Sequence, residues 1–205
     1  MANLGLGVLA SGRGSNLQAI IDNIETGRLD AEVRVVISDK SNAFALERAR
    51  KHAVPGKYIN PKDYRDKAEY ENAVVEALGE YGAEIVVLAG YMRLVDKTLL
   101  NSFPNRIMNI HPALLPSFPG AHGQRDAVDY GVRLSGCTVH FVDCGMDTGP
   151  IILQAVVPVM QEDDEDGLAA RILKEEHKLY SQAIQLYAEG RLWVEGRKVI
   201  IREKL

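Results

Sequence analysis

Asn109 and His111 are the residues of this sequence best suited to chemistry as a pair. The segment Arg106–Ile110 reads as a strand, and residues two apart on a strand share a face. An amide beside an imidazole suits acyl transfer. Both can donate hydrogen bonds to a developing oxyanion, and the imidazole can also relay a proton. They stand at the carboxyl end of the strand, where open α/β sheets bind ligands. The alternative is a His-Pro turn, His111-Pro112, that merely closes the strand. Asp147 lies in a second suggestive stretch, Cys144-Gly145-Met146-Asp147-Thr148-Gly149-Pro150. It either forms the turn or orients His111 and stabilises its charged form.

The third element is Gly14-Ser15-Asn16, where a strand gives way to a helix. Glycine lets a ligand approach the backbone closely, and free N–H groups at a helix start favour an anion. Ser15 and Asn16 could donate to phosphate oxygens or simply cap the helix. No Lys-Ser or Lys-Thr follows, so a P-loop is excluded. Gly5-Leu6-Gly7-Val8-Leu9-Ala10 matches the dinucleotide fingerprint in spelling, but it lies inside an apolar strand rather than after one, and the match is rejected.

Glu176 falls within the apolar stripe Ile172, Leu179, Ala183 and Leu186 of a long helix, and a carboxylate there needs a partner. Either an ion pair or a ligand would serve. Cys137, His140 and Cys144 might suggest a metal site, but strand alternation sends Cys137 and His140 to opposite faces, and no metal is expected. The acidic run Glu162–Asp166 opens the long helix, where negative charge is favourable.

The elements needed to position these groups alternate along the chain. Strands are expected at Leu4–Ala10, Glu32–Ser38, from Glu84, and at Arg106–Ile110. Helices are expected from near Leu17 to Glu25, at Ala43–His52, Asp63–Tyr81 and Asp96–Ser102. A proline-bearing loop spans His111–His122. Strands at Ser135–Val142 and Ile151–Val159 follow, then a helix over Asp166–Glu189 and a closing hairpin around Gly196-Arg197. The pattern predicts an α/β fold: a doubly wound, mostly parallel sheet of about seven strands with an antiparallel edge, in one domain over residues 1–205.

Composition sets the outer limits. The 205 residues can bury a proper core, and 46% hydrophobic with 25% charged residues is ordinary for a folded globular protein. A net charge of -4 argues against broad capture of nucleic acid. The apolar start is too short for a membrane span and lacks the positive lead-in of a signal peptide. With two cysteines and no disulfide framework, a cytoplasmic setting is expected.

Gly14-Ser15-Asn16-Leu17-Gln18, Leu88-Ala89-Gly90-Tyr91-Met92-Arg93, Asn109-Ile110-His111-Pro112-Ala113-Leu114-Leu115-Pro116 and Met146-Asp147-Thr148-Gly149-Pro150 occur in this order across the chain. Together they resemble the phosphoribosylglycinamide formyltransferases. The resemblance implies transfer of a formyl group from 10-formyltetrahydrofolate, as co-substrate, to the amine of glycinamide ribonucleotide. It implies that Asn109, His111 and Asp147 are catalytic, and that Gly14, Ser15, Asn16 and Glu176 hold the ribonucleotide. It assigns Met92, Arg93, Leu94 and Val95 to the folate pocket, with Asp143, Cys144, Gly145 and Met146 reading the pterin, and His140 supporting Asp147. Lys67 falls near a folate-contacting position of the family. The implied partners are small molecules, with no nucleic acid or membrane, in a monomer or homodimer. Rival readings are a methionyl-tRNA formyltransferase, a formyltetrahydrofolate hydrolase and a non-catalytic nucleotide-binding module. The first normally carries a further C-terminal domain, and the second an N-terminal regulatory one.

Overall fold

The computed structural model describes residues 3–203. The chain divides into two compact units, Met1–Met108 and Asn109–Leu205.

The first unit alternates strand and helix: β1 (Leu4–Leu9), α1 (Ser15–Glu25), β2 (Ala31–Ser38), α2 (Phe44–Lys51), β3 (Gly56–Tyr58), α3 (Lys67–Glu80), β4 (Ile85–Leu88) and α4 (Lys97–Ser102). A further strand, β5 (Ile107–His111), carries the chain into the second unit. The first unit's strands lie in the order β3-β2-β1-β4, and the pairings β1–β2, β1–β4 and β2–β3 are all parallel. β1 and β4 are almost wholly buried, as strands covered on both faces must be. The chain steps one way from β1 to β3, then returns to place β4 on the other side of β1. Right-handed crossovers therefore put α1 and α2 on one face and α3 on the other. The reversal between β1 and β4 is the switch point at which such sheets bind ligands.

The glycines that imitate a dinucleotide fingerprint have a packing role. A Cβ on Gly7 would lie 2.2 Å from Cδ2 of Leu78, so the absent side chain lets α3 press directly onto β1.

The second unit contains α5 (Gly123–Tyr130), β6 (Leu134–Phe141), β7 (Ile151–Pro158), α6 (Glu165–Ala188), β8 (Leu192–Glu195) and β9 (Lys198–Ile201). Its strand order is β6-β7-β9-β8, with β6–β7 and β8–β9 antiparallel. α6 packs on β6 and β7 through Ile172, Leu179, Ala183 and Leu186, the stripe expected from the sequence. Ile172, Leu179 and Leu186 each contribute about 1.5–3 kcal/mol by leaving water. The acidic run acts locally: Asp164 caps α6 at the Gly167 N–H, and Asp163 pairs with Arg171.

The fold is the mostly parallel α/β arrangement with an antiparallel edge that the sequence predicts. Among the described residues it has nine strands rather than about seven, because Gly56–Tyr58 adds β3 and the closing hairpin contributes two. α5 was not expected. It is short, buries only Gly123 and Ala127, and has no side-chain N-cap. α3 begins later than expected, at Lys67, where Asp66 accepts from the Glu69 N–H; Pro61–Asp63 form a separate 3-10 turn. No helix among the described residues is long and apolar enough to cross a membrane.

Candidate active site

The second unit brings Asn109, His111, His140 and Asp147 together. β5 presents Asn109 and His111 from one face, and β6 presents His140. Asp147 arrives on the Asp143–Pro150 loop in the left-handed conformation, φ 54°. Such a backbone is uncommon for a residue other than glycine, and aspartate is among the few that tolerate it.

The hydrogen-bond partners fix most of the polar atoms. Asn109 Nδ2 lies 3.2 Å from His140 Nε2 and 3.5 Å from Asp147 Oδ1. His140 Nδ1 faces the Phe141 carbonyl at 2.9 Å, and its Nε2 faces the Asn109 amide. The same Nε2 lies 3.7 Å from Asp147 Oδ1.

His111 is almost fully buried between two acceptors. Its Nε2 meets the Phe118 carbonyl at 2.8 Å, and its Nδ1 lies 3.3 Å from Asp147 Oδ2. Those acceptors favour an imidazolium, but burial opposes it more strongly and moves the ring below its ordinary value. The free protein therefore favours the neutral ring, whereas the sequence led us to expect a charged one. In that state the ring carries one N–H, and the tautomer decides whether Phe118 or Asp147 receives it. Burial alone would raise the Asp147 carboxyl. The His140 ring, the Gly120 N–H at 2.8 Å and His111 together hold it below its ordinary value.

Several residues that matter here carry no local signal. The Pro112–Gly120 loop supplies both the Phe118 carbonyl and the Gly120 amide. Thr138 and Gln154 bond to its backbone. A threonine in a buried strand is too ordinary to be singled out from sequence. Glu176 is buried on α6, on a side whose charge also acts on the Cys137 thiol of β6. Asp143 accepts from the Gly145 N–H and the Thr148 hydroxyl, and so shapes the loop that ends in Asp147. Cys144 and Met146 are exposed on that loop.

In the first unit, Gly14 is the residue before α1, with φ 66°. No side chain caps the helix, so Ser15 and Asn16 do not serve as its N-cap, and α1 starts at Ser15 rather than near Leu17. A Cβ on Gly14 would stand 2.9 Å from both Cα and Cβ of Ala45. The Ala45 N–H donates to the Gly12 carbonyl, and Arg48 Nε donates to the Arg13 carbonyl at 2.8 Å. Helix α2 thus holds the loop in place.

Met92–Val95 follow β4 on the same side of the first unit's sheet as the glycine loop. Ser11 links the two stretches, its N–H donating to the Gly90 carbonyl and its hydroxyl accepting from the Met92 N–H. Met92 is 73% exposed and Leu94 59%, while the Arg93 guanidinium lies over the Tyr70 ring. Val95 is half-buried. Lys67 is occupied locally, 3.5 Å from Asp96.

Comparison with known proteins agrees with this architecture. The formyl transferase family matches residues 6–184. The chain belongs to the formyl transferase family. Among its relatives in that family, the phosphoribosylglycinamide formyltransferase of Escherichia coli (strain K12) is 40% identical over 199 residues, covering 94% of each chain. The phosphoribosylglycinamide formyltransferase of Bacillus subtilis (strain 168) is 43% identical, over 87% of this chain and 91% of its own. The crystal structure of glycinamide ribonucleotide transformylase 1 from Symbiobacterium toebii superposes with a TM-score of 0.97 at 52% identity, covering 98% of this chain and 95% of that one.

Proposed function

We propose that this formyl transferase moves the formyl group of 10-formyltetrahydrofolate directly to the amine of glycinamide ribonucleotide, in the cytoplasm, as a step of purine biosynthesis. The carrying observation is the Asn109–His111–Asp147 cluster: an amide and an imidazole beside a carboxylate, at the end of a strand. The match over nearly the full length of the Escherichia coli and Bacillus subtilis relatives supports the choice of acceptor. In this reading residues 1–205 act as one formyltransferase domain.

The acceptor amine attacks the formyl carbon and a tetrahedral oxyanion forms. Asn109 donates to it and the charge gained by His111 offsets it; losing one such donor costs ~2.7–4 kcal/mol of barrier. His111 starts neutral; it takes up the attacking amine's proton, the imidazolium so formed facing Asp147, and returns that proton to the leaving nitrogen. The carboxylate thus stabilises the imidazolium as the reaction generates it. Asp147 also places the water through which that proton travels. No covalent enzyme intermediate is needed. The Cys137 thiol is pushed up to about 12 by burial and is unfit as a nucleophile.

The uncapped start of α1 and the Gly14 backbone suit the ribonucleotide phosphate, with Ser15 and Asn16 as donors. Glu176 takes the glycinamide end. The exposed side chains of Met92 and Leu94 suit a flat ring system. The Arg93 Nε, buried with no hydrogen-bond partner among the described residues, leaves a donor for its polar edge. Val95 and the backbone of Asp143–Met146 complete the folate contacts.

The test is an absorbance assay with a 10-formyl folate, run with and without glycinamide ribonucleotide. Deformylation that requires the ribonucleotide is expected. Deformylation without it would make the protein a hydrolase, and none in either case would reject the reading.

A further inference from the structure

The three prolines of the Pro112–Gly120 loop leave it unable to join a strand ladder, so its backbone groups need other partners. Thr138 supplies them. Its hydroxyl donates to the Ala113 carbonyl at 2.7 Å and accepts from the Leu115 N–H at 3.0 Å. Gln154, from the neighbouring strand, donates to the Leu115 carbonyl at 2.9 Å and to the same hydroxyl at 3.0 Å. The Thr138 oxygen has one proton and two lone pairs, and all are used. The hydroxyl is fully buried.

The clamped segment leads straight to the reacting groups. Leu114 accepts from the Ser117 N–H, which turns the chain, and Phe118 follows in the left-handed conformation with φ 53°. Its carbonyl then meets His111 Nε2 at 2.8 Å, and two residues later Gly120 N–H meets Asp147 at 2.8 Å. A loop fixed at Ala113 and Leu115 therefore fixes the acceptor on one side of His111 and the donor on its carboxylate partner.

We propose that Thr138 and Gln154 are positioning residues for His111, holding the Phe118 carbonyl against the imidazole through the backbone of the proline loop. Neither touches the reacting atoms. Their importance for activity rests on the reading of His111 as catalytic, but their effect on the ring does not.

The test uses Thr138→Val, which keeps the shape and removes the hydroxyl, Thr138→Ser, which restores it, and Gln154→Met at an exposed position. The His111 ring is titrated by NMR in histidine-labelled, substrate-free protein. Loss of the Phe118 acceptor should move the His111 titration to lower pH in Thr138→Val and, less far, in Gln154→Met, with Thr138→Ser close to wild type. In turnover, kcat should fall by about 10–100-fold in Thr138→Val with both KM values little changed, the scale of a misplaced catalytic group. If Thr138→Val fails to fold, Gln154→Met carries the decision alone. An unmoved His111 titration in the folded variants overturns the proposal, as does a Thr138→Ser protein that shifts as far as Thr138→Val. A shifted titration in a protein without formyl transfer would uphold the positioning role and reject the proposed function.

Discussion

Asp147 Oδ2 faces His111 Nδ1 at 3.3 Å across a site that leaves the carboxylate only 14% exposed. The pair is arranged so that a proton gained by the ring is met by a charge that is already ionised. Burial keeps the ring neutral until then. A site of this kind develops its ion pair during the reaction instead of carrying it at rest.

Replacing Asp147 with Asn tests that relationship with little risk to the fold. Asparagine tolerates the left-handed backbone as well as aspartate does. Activity should fall by roughly 10²–10⁴-fold, the range for a lost acid/base contribution, while the circular dichroism spectrum stays that of the parent. Near-normal turnover would remove Asp147 from the mechanism.

The pH dependence of stability has a definite sign. The folded His111 ring lies below its ordinary value of 6.5, so the unfolded chain binds this proton more readily. Its contribution is fully present above that ordinary value and is lost as pH falls through the folded one. Urea midpoints should therefore decline as pH falls below about 6.5, and part of that decline should be absent in His111→Gln. Asp147 is also depressed, but its loss comes in a separate window below 3.8.

Gly14→Ala should impair the glycine loop in two ways. The left-handed backbone costs an ordinary residue about 1–2 kcal/mol. The new methyl would also meet Ala45 at 2.9 Å. The expected result is a lower unfolding midpoint and a raised KM for the ribonucleotide, with the folate KM unchanged. Steady-state kinetics with each substrate varied in turn would show it.

Arg48 ties the same loop to α2 through the Arg13 carbonyl and also donates to Gln18. Arg48→Ala should raise the ribonucleotide KM roughly tenfold, the scale of one charge-assisted hydrogen bond. A change confined to the folate KM would contradict that assignment.

Cys144 is exposed beside Asp143, and direct transfer gives it nothing to do. Cys144→Ser should keep kcat, and the wild type should release no burst of tetrahydrofolate without the acceptor. A burst that disappears in the variant would require a covalent intermediate.

Much of this molecule is legible in the sequence because its signals are local. The apolar runs at Leu4–Leu9 and Ile85–Leu88 specify strands buried on both faces. The two-residue spacing of Asn109 and His111 puts them on one face wherever that strand lies. The stripe on α6 likewise identifies Glu176 as a buried carboxylate. Tertiary structure decided what those groups touch. The proton preference of His111 depends on burial and on the Phe118 carbonyl seven residues away, and that carbonyl depends on a Thr138 hydroxyl a further twenty residues along. The Gly5-x-Gly7 spelling lies inside a strand and so is no nucleotide loop, but what Gly7 serves, the approach of Leu78 from a helix some seventy residues later, is a matter of packing. Periodicity fixes which way a side chain points; the partner it finds is set by packing between segments far apart in the chain, where desolvation and hydrogen bonds first act.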